Sequence, residues 1–173
     1  LMFNFLTMDF KQLVPDFQAI GKTEWGKPKV DTKDAVALAG IIAALLMVVF
    51  VFLDWFSMGV EKGRLEISIG RSGISLWYGI IGLIGALAAV VGNLYNHKAL
   101  AFSGGALGVI MGLIGWFMVP SLTFMGVEMP TAKVKEFLEA GAEASHLGAI
   151  LFLIAAAVVA VSAFMGIAKD EKK

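Results

Sequence analysis

Four stretches of the chain are apolar almost without interruption, and the polar residues gather between them. The first is the clearest: residues 35–53 carry no charge and include Ile41, Ile42, Leu45, Leu46, Val48, Val49, Phe50, Val51 and Phe52. A helix needs about 20 mostly apolar residues to cross a hydrocarbon core of roughly 30 Å. The pattern therefore predicts four spanning helices over about 35–56, 76–95, 99–119 and 146–168, with outer loops over 57–75 and 120–145. Asn96, His97 and Lys98 join the second and third helices, and so short a connection makes them an antiparallel hairpin.

The segments between the spans have patterns of their own. Residues 1–33 read as an amphipathic segment and linker: Phe3, Phe5, Leu6, Phe10, Leu13, Val14 and Phe17 alternate with Asn4, Asp9, Lys11, Gln12 and Asp16. This predicts a helix lying in the membrane interface, bent near Pro15, and it lacks the basic start and small-residue cleavage site of a signal peptide. In the first outer loop Leu65, Ile67 and Ile69 alternate with Glu66 and Ser68, and Ile74 and Leu76 follow Gly70-Arg71-Ser72-Gly73. That predicts a β-hairpin turning at the glycine-flanked tetrapeptide. In the second, Thr131 after Pro130 is placed to cap a short helix with Val134, Phe137 and Leu138 on one face. The fold class expected is an all-α membrane protein, a four-helix bundle over 34–173 with a small outer layer of hairpin and short helix.

Composition sharpens this picture. The chain of 173 residues is 58% apolar and 16% charged, against roughly 45 to 50% and about 25% in soluble proteins. Zero net charge and the absence of a basic tract argue against nucleic-acid binding. The absence of Cys removes disulfides, thiolate nucleophiles and thiolate metal sites. Nine Lys and Arg fall on the side of the two termini and five on the other, which predicts cytoplasmic termini, with a plasma-membrane location. Trp55, Trp77, Tyr78 and Trp116 fall toward the outer helix ends, where amphipathic rings favour the interface.

Two further patterns bear on function. Met58-Gly59-Val60-Glu61 recurs as Met125-Gly126-Val127-Glu128, 67 residues later, and an offset of 69 lays Gly79 to Val91 over Gly148 to Ala160. The chain reads as two tandem hairpins related by an axis along the membrane normal. Glu61 and Glu128 then stand at equivalent outer positions and, with Asp54, form either solvated loop acids or an outer-face polar site. Helices two and three are rich in small residues, among them Gly79, Gly82, Gly85, Gly104, Gly108 and Gly112, and the last three repeat at every fourth position. Such faces let backbones approach closely, which drives helix association in lipid, with a helix of the same chain or of another subunit. Asn93, Ser103 and Ser162 are expected to bond across helices.

Signals for chemistry are sparse. The spans carry no charge near their centres, where coupled transporters place a carboxylate. His97 and His146 fall on opposite membrane faces and are read as surface histidines; no metal and no cofactor is expected. Gly70-Arg71-Ser72-Gly73 matches the GxSG string of rhomboid intramembrane proteases, yet Ser72 falls in an expected hairpin turn and not at a helix start. Four spans, inside termini and a hairpin between the first two spans resemble the claudin-like tetraspans. Trp55 followed by Gly73-Ile74-Ser75-Leu76-Trp77 is similar to their Trp and Gly-Leu-Trp signature. The chain departs from that family in having no Cys pair and in entering the second span directly at Trp77, so the resemblance implies architecture and no activity. The function expected is a non-enzymatic subunit that packs into a larger membrane complex. Its partners are the lipid bilayer, other membrane subunits or copies of itself. A homo-oligomeric channel is the alternative and a lipid or small-molecule carrier a weaker one.

Overall fold

The computed structural model describes residues 13–25, 27–30, 34–62, 65–124 and 127–170. Most of the expected interfacial helix over 1–20 lies outside them. What is described begins α1 (Phe17–Gly21) just after Pro15, with the Asp16 carboxylate accepting from the Gln18 and Ala19 amides. The chain is mostly helical with a small sheet. Four apolar helices pack together: α2 (Ala35–Phe50), α3 (Trp77–Leu94), α4 (Lys98–Phe117) and α6 (Leu147–Asp170). Each touches two neighbours in the ring α2, α6, α4, α3. The Asp34–Lys169 and Lys98–Asp170 ion pairs join the starts of α2 and α4 to the end of α6. The tight turn at Asn96, whose left-handed φ of 59° suits Asn, joins α3 to α4. Neighbours therefore run antiparallel.

Three of these helices, α3, α4 and α6, are long and apolar enough to cross a membrane. The first helix is shorter than the expected 35–56. It ends at Phe50 because the following chain takes its last carbonyls: Trp55 Nε1 donates to Phe50 O at 2.9 Å, the Ile74 amide to Val51 O at 2.9 Å and the Gly73 amide to Leu53 O at 3.0 Å. Sixteen residues rise about 24 Å, short of a core of roughly 30 Å.

The bundle is packed inside out relative to a soluble one. Its interior is largely glycine and alanine, including Ala43, Ala44, Ala86, Ala89, Ala149 and Ala156. The large side chains face outward: Ile42, Leu45, Leu46 and Val49 on α2, Ile80, Ile84 and Leu87 on α3, Ile154, Val158, Val161 and Met165 on α6. Glycine sets the spacing. A Cβ on Gly104 would lie 2.5 Å from Gly85 O and 2.6 Å from Ala89 N, and one on Gly105 would lie 2.7 Å from Ala160 N. Asn93 on α3 and Ser162 on α6 meet α2 at Gly40, where a Cβ would lie 2.8 Å from Asn93 Oδ1 and 2.6 Å from Ser162 Oγ. These two polar residues do not bond across helices as expected. Each donates to a carbonyl of its own helix, Asn93 to Ala89 and Ser162 to Val159, the local option that Ser and Asn side chains always have.

The remaining elements gather where α2 and α4 end and α3 and α6 begin. They are β1 (Asp54–Lys62), β2 (Leu65–Ser72), β3 (Leu122–Phe124), β4 (Val127–Met129), α5 (Thr131–Glu139) and β5 (Glu143–Ser145). β2, β1 and β5 form one antiparallel sheet with β1 central, and β3 and β4 a separate hairpin. The first hairpin exists, but its turn is not at Gly70–Gly73. β2 runs through Ser72, paired with Asp54, and the pairing extends to Lys62 with Leu65. Gly70 is instead where the Asp54 carboxylate lies across β2, and Gly73 where the Trp55 indole seats, so both glycines answer to close contacts. Pro130, not Thr131, precedes α5, and no side chain caps it. Phe56, Met58, Leu122 and Val134, all buried, give this layer a core of its own, flanked by Ile69, Val119 and Leu138.

The Gly85–Gly104 contact predicts that Gly104→Val separates α3 from α4 and destabilises the protein by about 1–3 kcal/mol, the cost of overpacking. Thermal unfolding in mild detergent checks it against Gly21→Ala, whose added Cβ meets nothing within 4 Å and should leave the midpoint unchanged.

Candidate functional site

The sheet end holds the most developed cluster of aromatic and polar side chains. Trp55 opens β1, and a bulge between Asp54 and Phe56 sends consecutive aromatic side chains into different cores: Trp55 into the bundle, Phe56 into the sheet layer. The indole is fully buried between Tyr78 and Phe152, with ring centroids 5.9 and 4.8 Å away. Room for it comes from glycine on four sides. A Cβ on Gly82, Gly115 or Gly148 would lie within 3.5 Å of the indole, and one on Gly73 would overlap it. With Met47 and Phe152, also fully buried, Trp55 fills the axis of the bundle.

A polar bracket lies over this plug. Arg71 at the end of β2 donates to the backbone and hydroxyl oxygens of Ser121, both at 2.8 Å, and the Ser121 hydroxyl donates to Glu128 Oε1 at 3.0 Å. The bracket ties the first hairpin to the chain leaving α4. The Asp54 carboxylate lies over Gly70, and Arg71 goes to Ser121 and Ser75. Asp54, Glu61 and Glu128 do not share one site: Asp54 and Glu61 stand at opposite ends of β1, about 23 Å apart along an extended strand, and Glu128 is on the separate hairpin. The two halves of the tetrapeptide repeat also differ in setting. Met58–Glu61 runs within β1, whereas Val127 and Glu128 lie on β4 and residues 125 and 126 lie outside the described residues.

The six glycines singled out by sequence are all buried within the chain. Gly85 meets Gly104, Gly108 meets Met47 and Ala156, Gly112 meets Leu153, Gly82 meets Phe152, and Gly79 packs on the Gly73 backbone. Of the rings expected at the interface, Trp77 and Trp116 are exposed at the sheet end, while Trp55 and Tyr78 are buried. His146 is half-buried. Its Nε2 is buried without a hydrogen-bond partner, as is the Tyr78 hydroxyl. Burial holds the His146 imidazole below its ordinary value of 6.5. Among the described residues no group of three or more His, Asp or Glu is placed to hold a metal ion.

The opposite end is simpler. Asp34 caps α2 through the Val36 amide and pairs with Lys169, whose hydrogen bond, ahead of the Val36 amide, holds the carboxyl below the usual range. Lys98 Nζ donates to Asp170 and to Gly166 O, satisfying a carbonyl at the end of α6. The segment after α1 lies across the α3–α4 turn: Thr23 Oγ1 is 2.6 Å from His97 Nε2, the Trp25 ring stands edge-on to Tyr95, and the Lys29 amide donates to Leu94 O.

Comparison with known protein families, curated proteins and solved structures finds no match for the chain. No sequence pattern marks the Trp55 seat, because its four glycines come from separate elements and share no spacing. β5 was missed for the opposite reason: three residues are too few to show alternation.

The seat makes Trp55 the most costly side chain to remove. Trp55→Ala is expected to lower stability by about 3–5 kcal/mol, and Trp55→Phe by less, since it keeps ring packing and loses the bond to Phe50 O. Thermal unfolding of the two variants should rank them in that order.

Proposed function

We propose that the protein is a non-enzymatic membrane subunit that presents its sheet layer to a partner within a larger complex. The observation that carries this reading is the second hydrophobic core. Phe56, Met58, Leu122 and Val134 build a folded layer beyond the helix ends, and it leaves Val127 and Phe137 exposed on its surface. Exposed apolar groups on a separately cored layer suit recognition by another protein. The bundle beneath it suits a support: its axis is filled by Trp55, Met47 and Phe152, and its glycine faces are used in its own packing.

In this reading α2 is a fourth span. Its outward face of Leu38, Ile42, Leu45 and Val49 continues the apolar belt of its neighbours, and the apolar residues 51–53 extend its reach. Mismatch of this size is met by local thinning or tilt. The sheet layer lies outside the cell membrane and both termini inside, as the excess of Lys and Arg on the terminal side favours. Phe17 and Trp25, exposed beside Lys22 and Lys27, suit an interfacial anchor on the inner side. Tandem duplication accounts for a bundle helix followed by two strands in both halves of the chain, the second half adding α5 and β5 before its last helix, and for α2 and α4, like α3 and α6, standing diagonally across the ring.

Gentle extraction from the native membrane, followed by native mass and composition, tests the proposal. The expected result is a particle containing other membrane proteins, with Phe137→Glu or Val127→Glu releasing the chain. A stable lone monomer overturns it. A closed ring of identical chains that conducts ions after reconstitution replaces it with the channel reading, in which a path runs between chains.

A further inference from the structure

His146 stands at a joint. It follows β5 directly and precedes α6, and its carbonyl accepts the Ile150 amide, the first helical bond of α6. β5 is held to β1 by only three residue pairs, from Ser57 with Ser145 to Gly59 with Glu143. The imidazole is packed edge-on against Phe56, with centroids 5.1 Å apart at 74°, and Phe56 belongs to the core of the sheet layer. Its Nε2 is buried and has no partner. We infer that His146 is an acid-released latch: uncharged it closes the joint, and protonated it lets β5 and α5 come away from β1.

The physical argument has three parts. A charged imidazole in this position has a buried N–H with no acceptor, which disfavours the closed form. It also stands at the start of a 24-residue helix, where the backbone dipole repels a cation. No carboxylate compensates it: among the described residues His146 makes no ion pair. Asp54 on β1 lies over Gly70, and Arg71 on β2 is bound to Ser121. Glu143 on β5 and Lys133, Lys135, Glu136 and Glu139 on α5 are exposed, and the Tyr78 hydroxyl on α3 is itself without a partner. The closed joint therefore resists the proton and the opened joint takes it at the ordinary value of 6.5. Opening is then favoured as pH falls below that value and levels off once the closed form also protonates. Each unit of difference between the two forms is worth a tenfold change in the opening equilibrium.

Hydrogen exchange of the full chain in lipid nanodiscs, corrected for the intrinsic rate at each pH, tests the latch. Between pH 7.5 and pH 5.0 the protection of amides over 131–145 should fall about tenfold, with the centres of α3, α4 and α6 unchanged. His97→Gln should behave as the natural chain, and His146→Gln should lose the response. Equal protection at both pH values, or the same fall in His146→Gln, overturns the proposal. Should His146→Gln fail to fold, NMR titration of the single imidazole left in His97→Gln decides: titration below 6.5 supports the latch, and titration at or above it overturns it.

Discussion

Close backbone contact is what the rest of the structure depends on. Once in lipid, two helices gain nothing from hiding apolar surface from each other, because the bilayer is as apolar as they are. What remains is van der Waals attraction, which falls off within about an ångström of contact. The bundle meets this constraint by placing Gly85 against Gly104, Gly105 against Ala160 and Gly112 against Leu153, and by sending its isoleucines and leucines outward. The same constraint explains why the large interior residues are so few. Trp55, Met47 and Phe152 fit only because Gly73, Gly82, Gly108, Gly115 and Gly148 stand opposite them.

How much of this could be read from the sequence follows from which forces are local. Helix type and extent for α3, α4 and α6 were legible to within two residues, because uninterrupted apolar runs are properties of consecutive positions. The end of α2 was not. Residues 51–56 are as apolar as those before them, apart from Asp54, and only the bonds from Trp55, Gly73 and Ile74 stop the helix at Phe50. The hairpin turn was misplaced for a related reason. Glycine marks turns by its backbone freedom, but Gly70 and Gly73 lack a Cβ because a carboxylate and an indole lie across them, and that is a tertiary fact.

The polar residues divide along the same line. Glu61 and Glu128 looked equivalent because a tetrapeptide repeats, but the first lies within β1 and the second on a different hairpin. The bracket joins Arg71 to Ser121, 50 residues later, and only its second step, from Ser121 to Glu128, is local. His146 was legible as a residue at the end of a span, and the burial of its Nε2 was not. That burial depends on β5, whose three residues pair with β1 only after the chain has crossed α4, the second hairpin and α5.

β1 is where these separate facts become one. It carries Trp55 into the bundle and Phe56 into the sheet layer, pairs on one side with β2 from its own half of the chain, and pairs on the other with β5 from the second half. The bundle holds the halves together through helix contacts and through the Trp55 indole seated among them. The sheet layer holds them through the three pairs of β1 with β5, the bracket from Arg71 to Ser121 and the shared core of Phe56, Met58, Leu122 and Val134. Stability is therefore unequal along the molecule, high where glycine lets backbones touch and low where a three-residue strand closes an edge. A change in conformation would begin at that edge, since opening it costs few contacts and leaves the helices in place. A chain that presents this layer to a partner would have its most movable element at its most exposed end.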